Sequence, residues 1–332
     1  MSFKLTDEQK ALQAGIRDFC TDRVSIERVT AIGEAGFDRD LWREIAAMGV
    51  FHAQIDGSQA DHGVGAGEAA IVFAELGRAL APGPLVWTHL AAGIVDGAGT
   101  GETVVGGLDL TAERAQPYVI EHLASLDVLL LIRRDGVFRV DPRTVETKPV
   151  PLSLDPLTPV AHATALPAGD RVADADRAHA LQLAGTALTA SFLLGIADAT
   201  HEMAVAYAKV REQFGRTIGS FQAIKHLLAD SFVRVQVARA SVYGAAATLE
   251  HPEVGDVDRA VSGAKINAGE AAWRNARTCI QVHGGMGYTW EIPAHYYAKR
   301  AWVLSTGFGS AEEHAARIGD CVGDSSPASE IG

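Results

Sequence analysis

Two short stretches carry side chains whose types and spacing could do chemistry. The first, VREQFGRTIGSFQAIKH, sets Arg211 and Arg216 on either side of a Phe214-Gly215 break, with Gln222 opening the helical pattern that follows. Guanidinium forks donate paired hydrogen bonds to phosphate oxygens, and the amide of Gln222 offers donor and acceptor to a sugar or base. An anion grip around one turn is one reading; a helix-joining loop with solvated arginines is the other. The second stretch, QVHGGMGYTWEIPAHYYAKRAWVLSTGFGS, opens with Gln281-Val282-His283-Gly284-Gly285 where a helical pattern ends. Adjacent glycines remove Cβ atoms and let backbone N–H groups approach a ligand. They also stop helices, and a helix C-terminus is the wrong end for dipole-assisted phosphate binding.

Acids and bases are sparse in the second stretch. Glu291 is its one carboxylate, and His283 and His295 are of the one residue type whose intrinsic charge change falls near neutral pH, although a histidine at a helix end more often caps or packs. Glu312 and Glu313 suit the first turn of a further helix. The strand, G-x-G-x-x-G and helix order of a dinucleotide fingerprint is absent.

The elements that must position these residues follow from periodicity. Thr6 to Gln9 reads as a capping box, followed by Leu12, Ile16 and Phe19 at helical spacing. Asp38 precedes a second helical set, Leu41, Trp42, Ile45 and Met48, closed by Gly49; GEAAIVFAELGRAL predicts another helix, stopped by Pro82 and Pro84. After Thr103 the runs VVGGLDL, YVIEHL, DVLLLI and VFRV predict strands, with Asp135-Gly136 as a hairpin turn. Helical pattern resumes near LPAGDRVADAD, and long helices are expected around 222–249 and 257–280. The expected organisation is a helical domain over 1–103, a small β domain over 104–177, a helical domain over 178–322 and a flexible tail over 323–332.

With 332 residues the chain has room for two or three compact units. A formal charge of −12, from 29 basic and 41 acidic residues, provides no basic stripe, so nucleic acid is not an expected partner. Cys20, Cys279 and Cys321 have neither disulfide-framework nor zinc-knuckle spacing, and no metal site is expected. MSFKLTDEQK lacks the apolar core of a signal peptide, and no window is expected to reach a membrane-spanning run of ~18 apolar residues. A cytoplasmic protein with no membrane partner is the expectation.

Taken together, the Arg-x-Gln-Phe-Gly turn before a Gln-bearing helix, the Gln-x-x-Gly-Gly-x-Gly about seventy residues later, and the helical–β–helical layout closely resemble the acyl-CoA dehydrogenase family. The resemblance implies a mainly α fold: an N-terminal helical domain, a middle β-barrel-like domain and a C-terminal four-helix bundle. It implies FAD as cofactor, an acyl-CoA substrate desaturated between its α and β carbons, and an electron-transfer flavoprotein as acceptor. Arg211, Gln213, Phe214 and Gln222 match positions that hold the FAD pyrophosphate and adenosine of a neighbouring chain. Gln281, Val282, His283, Gly284 and Gly285 match a second adenosine-side contact, and Gly309-Ser310 match a Gly-Thr pair closing on the same cofactor.

Two departures qualify the resemblance. The family needs a carboxylate to remove the α-proton while the β-hydrogen leaves as hydride to the flavin. The position directly before the Gly-Thr pair is Phe308, and the alternative base position, early in the first helix of the third domain, falls near Gly185. The family's ring-binding Thr-Glu-Pro-x-Ala-Gly-Ser-Asp loop and Trp-Ile-Thr segment are not found between Gly83 and Ala178. A chain that keeps the adenosine half and lacks the ring half and base is similar to the short subunits of actinobacterial heterotetrameric acyl-CoA dehydrogenases of steroid catabolism. In those α2β2 assemblies the larger subunit supplies base and ring-binding loop. The alternatives are a non-catalytic scaffold derived from a dehydrogenase, and an active homomer using an unorthodox base such as Glu291.

Overall fold

The structure is a computed structural model that describes residues 5–51 and 65–324; the tail expected over 323–332 lies outside them from 325 onward. Among the described residues five helices come first: α1 (Asp7–Arg23), α2 (Ile26–Ala35), α3 (Arg39–Ala47), α4 (Ala66–Arg78) and α5 (Leu85–Ala91). Thr6 and Gln9 form the expected capping box on α1, and Asp38 caps α3 through Asp40 and Leu41 N–H groups. The helix expected over GEAAIVFAELGRAL, through Leu80, ends two residues earlier, at Arg78. Leu80 adopts a left-handed φ of 53°, and the Ala81 N–H reaches back to the Leu76 carbonyl, so a Schellman-type closure stops α4 before proline does. α2 and α5 were not expected from the sequence; α5 has only seven residues and no side-chain cap, while α2 is capped by the Ser25 hydroxyl. Glu75, buried within α4, accepts hydrogen bonds from Gln13 at 2.8 Å and from both Arg17 Nε at 2.9 Å and Nη2 at 2.7 Å, fixing α1 across it.

The middle of the chain folds as two small sheets. β1 (Val105–Asp109), β3 (Val128–Arg133), β4 (Gly136–Val140) and β7 (Asp170–Ala173) form one, in the order β1-β3-β4-β7. β2 (Tyr118–Glu121), β6 (Val160–Ala163) and β5 (Thr147–Pro149) form the other. The β3–β4 hairpin forms where Asp135-Gly136 signalled it, with Arg134 and Asp135 as the turn and Gly136 already paired with Arg133. β3 is buried nearly throughout, which explains its unbroken apolar run.

The remainder is helical: α6 (Ala175–Val210), the two-residue strands β8 (Glu212–Gln213) and β9 (Arg216–Thr217), α7 (Gln222–Glu250), α8 (Val257–His283), α9 (Ala294–Thr306) and α10 (Ala311–Asp324). α6 corrects one expectation: an 18-residue window within it is apolar enough to cross a membrane by length and composition. Yet 89% of that window is buried inside the protein, so its apolarity serves a central core helix touched on all sides. Gly195 and Gly77 let α6 and α4 meet backbone to backbone: a Cβ on Gly195 would lie 1.9 Å from the Ala74 carbonyl, and one on Gly77 2.1 Å from that of Phe192. The helical core is thereby locked to the N-terminal helices. This mainly α architecture with a small β middle is the fold the sequence resemblance implied.

Candidate functional site

The sequence-predicted residues fall at two places, joined by α9. Its 13 residues span ~20 Å, from Ala294 to the turn that carries Phe308.

At the Ala294 end, a small core of Ala204, Ala208, Cys279, Val282 and Ala294 brings the end of α6 and the end of α8 together. Tyr207 stacks on His283 at 4.1 Å, and the His283 ring bonds the Cys279 carbonyl at 2.7 Å. Val282 and His283 are therefore interior packing, and of the Gln281–Gly285 set only Gln281, Gly284 and Gly285 are exposed. Arg211, Gln213, Phe214 and Gln222 are all exposed on the neighbouring hairpin and helix start. That hairpin is tighter than a plain loop: Phe214 and Gly215 both have positive φ, 56° and 76°, the turn geometry that matches antiparallel strand twist. A phenylalanine is disfavoured there, and its ring is 91% exposed. Arg216, the second guanidinium of the sequence-level grip, lies 4.0 Å over the Phe221 ring, and both it and Arg211 are exposed.

The Phe308 end is built differently. Phe308 packs its ring where a side chain on Gly185 would be: a Cβ there would sit 2.3 Å from the ring. The same ring stacks on Trp87 at 4.7 Å. Positions 308 and 185, the two that the sequence resemblance offered for a base, are thus one place in space, filled here by an aromatic ring against a bare backbone. Phe308 itself has a left-handed φ of 55°, followed by Gly309 at 111°. Lys265, a residue with no sequence signal, clamps this turn by donating to the Ser305 and Gly309 carbonyls, each at 3.0 Å. Burial pushes the Lys265 amine down to about 7, partly opposed by Glu313 and reinforced by Arg114 and Arg317. His314 is pushed down to about 4 by burial, then by Lys265 and Arg317, and bonds Ser262 at 3.1 Å. Ser310 and Glu313 cap α10 reciprocally, and Arg114 holds Glu313 at 3.0 and 3.1 Å. Gly309 is buried and the Ser310 hydroxyl is engaged, so both residues fasten α9 to α10.

Phe308 also walls a cavity of about 610 Å³ between α5, the β sheets, α6 and α9. Three carboxylates line it: Asp109, Glu121 and Asp155. Asp109 accepts from Thr111 at 2.6 Å and Gln182 at 3.2 Å. Asp155 is paired with the buried Arg300 and also accepts from Thr158 at 2.8 Å. Burial would raise Asp155, but the charge and hydrogen bond of Arg300 outweigh it and hold the carboxyl below its ordinary range. His122 is driven down to about 3 by burial and by Arg300, so it is neutral. Glu291 is exposed, near the Ala294 end of α9, and does not line this cavity. The Arg300–Asp155 pair and Lys265 were missed in the sequence because lone charged residues in helical or loop pattern read as surface.

Known proteins resemble this chain over both of its helical regions. Residues 6–103 match the acyl-CoA dehydrogenase N-terminal domain, and residues 182–322 match the acyl-CoA dehydrogenase C-terminal domain. Acyl-CoA dehydrogenase FadE34 of Mycobacterium tuberculosis is 31% identical over 95% of this chain, which spans about half (48%) of that relative's length. Acyl-CoA dehydrogenase IpdE2 of the same organism is 33% identical over 82% of this chain and 84% of its own. Among solved structures, the ChsE4-ChsE5 complex from Mycobacterium tuberculosis contains a chain that superposes with a TM-score of 0.81 at 26% identity, covering 99% of this chain and 100% of that one. With both terminal domains matched and full-length likeness in sequence and fold, this chain belongs to the acyl-CoA dehydrogenase family, whose members bind FAD.

Proposed function

We propose that the chain is the short subunit of a hetero-oligomeric, FAD-dependent acyl-CoA dehydrogenase, completing the FAD site of a larger partner chain in an α2β2 assembly. The observation that carries this is the Phe308–Gly185 contact: both base positions converge on one spot and neither bears a carboxylate. The catalytic base then belongs to the partner. Support also comes from the ChsE4-ChsE5 relative, which is itself a complex of two chains.

The residues of the Ala294 end fit the adenosine and pyrophosphate part of the cofactor. Arg211 offers a planar, charged donor pair suited to phosphate, and Gln213, Gln222 and Gln281 offer amides. Gly284 and Gly285 leave open space where side chains would stand. Phe214 presents an apolar face beside them. FAD, when bound, accepts the hydride that leaves the acyl β-carbon. In this reading Val282 and His283 only support the turn from within, and Gly309 and Ser310 set the position of Phe308. The substrate is a bulky acyl-CoA thioester, steroid-derived as the sequence resemblance implies, with an electron-transfer flavoprotein as acceptor, in the cytoplasm.

Co-expression with a larger acyl-CoA dehydrogenase chain tests this. The expected product is a yellow complex with about one flavin per pair of unlike chains, and Arg211→Ala lowers flavin retention by about tenfold or more. A colourless mixture without association, or an Arg211→Ala complex with unchanged flavin and activity, would sink it; the latter outcome would favour a scaffold role.

A further inference from the structure

The last turn of α9 is closed by a buried amine from another helix. α9 ends at Thr306, and Gly307 leaves it in an extended conformation. Helix ends leave carbonyls without intrahelical partners, and a cation beside them is favourable. Lys265 of α8 takes that place: its Nζ donates to the Ser305 and Gly309 carbonyls, one on either side of Phe308, each at 3.0 Å. The residue is 3% exposed, and among the described residues no carboxylate lies within ion-pair distance of it. Glu313, the acid whose charge acts on it, is engaged by Arg114 and by the Ser310 N–H.

Two unfavourable features therefore meet at one turn. Phe308 keeps a left-handed φ of 55°, which a bulky side chain disfavours, and a charged Lys265 sits in the interior without a counter-ion. Opening the turn relieves both, because water then solvates the ammonium. The charged and titratable groups facing Lys265 are Glu313, His314 and Arg317 on α10 and Arg114 in the segment between β1 and β2; among the described residues α6, α7 and α9 bring none that acts on it. Burial, then Lys265 and Arg317, push His314 down to about 4, with the Phe308 carbonyl and Glu313 acting against, so that ring is neutral at pH 7 and above. Glu313 is held below the ordinary carboxylate range, chiefly by the Ser310 N–H and Arg114 against the effect of burial. Of this cluster only Lys265 changes charge between pH 7 and 10.

We propose that the Phe308 turn is a latch set by the protonation of Lys265: the neutral amine leaves it closed on Gly185 and Trp87, and the ammonium favours a local opening in which Phe308 leaves the cavity wall. Opening bares the backbone at Gly185 and extends the cavity into the space that the ring occupies. Proton linkage fixes the direction. In the closed turn Lys265 binds its proton only below about 7, whereas in the open turn it returns to the ordinary lysine value of about 10.4, so the open form holds more protons across that window. Opening becomes rarer as pH rises, by about twentyfold between pH 7.5 and 9. No flavin or partner chain enters this latch, so it stands apart from the heteromer reading.

Hydrogen–deuterium exchange of the purified chain tests it, each rate being divided by the intrinsic rate at the same pH to give a protection factor. Protection over 303–314 is expected to rise about twentyfold between pH 7.5 and 9. At both values it should stay at least about tenfold below that of the buried helix α4, and about 1 M urea should leave it unchanged while lowering that of α4, as a local opening requires. In Lys265→Met, which carries no charge, protection over 303–314 should agree within about threefold at the two pH values. No rise in the wild type, a twentyfold rise that persists in Lys265→Met, or protection equal to that of α4 and equally sensitive to urea would each overturn the proposal. Should Lys265→Met fail to fold, Lys265→Arg takes its place: its guanidinium stays charged throughout, so 303–314 should be poorly protected at both pH values, and a rise like that of the wild type would overturn the proposal.

Discussion

The two ends of α9 treat backbone strain and charge in opposite ways. At the Ala294 end the strained residue, Phe214, points its ring into solvent, and Arg211, Gln213, Gln222 and Gln281 stand exposed around it. At the Phe308 end the strained residue is buried against Gly185 and Trp87, and the charges around it are paired: Arg114 with Glu313, Arg300 with Asp155, Lys265 with two carbonyls. Strain that is repaid by packing needs no ligand to explain it. Strain at the exposed Phe214 turn is not offset by packing in this way, which is why the Ala294 end is proposed as the surface for a cofactor, whereas the Phe308 turn is held by its own packing.

The comparison can be broken at several points. Arg300→Met leaves Asp155 buried without its counter-charge, and a loss of about 3–5 kcal/mol is expected in denaturant melts. A loss below about 1 kcal/mol would mean that the Phe308 end is not held by its ion pair. Gly185→Ala drives a methyl into the Phe308 ring and is expected to cost about 1–3 kcal/mol, whereas the same change made on a Phe308→Ala background is expected to cost much less. Additive losses would show that ring and glycine are not in contact.

A pH experiment probes the clamp on the same turn. Lys265 has its folded affinity for a proton lowered to about 7, so between pH 7 and the ordinary lysine range the unfolded chain binds more protons. Stability therefore rises with pH over that window, by about 2 kcal/mol from pH 7 to 9. Thermal melts of the wild type should show this slope, and Lys265→Met should lack it; identical slopes would remove Lys265 from the account. The smallest effect belongs to the other end. Phe214→Gly relieves the left-handed strain and should raise stability by about 1 kcal/mol, while lowering flavin retention in the complex. A variant that gains stability and keeps its flavin would leave the exposed ring without a purpose.

Much of the fold was legible along the chain. The Thr6 capping box, the Asp38 cap, the Asp135-Gly136 hairpin and the break after Arg211 are local signals, and local signals survive folding when tertiary contacts agree with them. α4 ended early because Leu80 accepted a left-handed conformation that no propensity foresees, and the β8–β9 hairpin hid in a stretch with two residues per strand. The candidate site was legible only as types: the sequence lists arginine, glutamine and glycine near each other but does not say that His283 turns inward onto Tyr207 while Gly284 faces out.

What the sequence by itself determined was the order of helical and β units and the lack of an acid at positions 185 and 308. Both are properties of residue identity and short-range periodicity. Only the tertiary structure decided that those two positions are a single place, that the ring of one occupies the space left by the other, and that Glu121, Arg300 and Asp155 meet at one cavity. Such contacts join residues far apart in the chain, and their geometry is fixed by how α6, α9 and the sheets pack rather than by any local preference of the residues themselves.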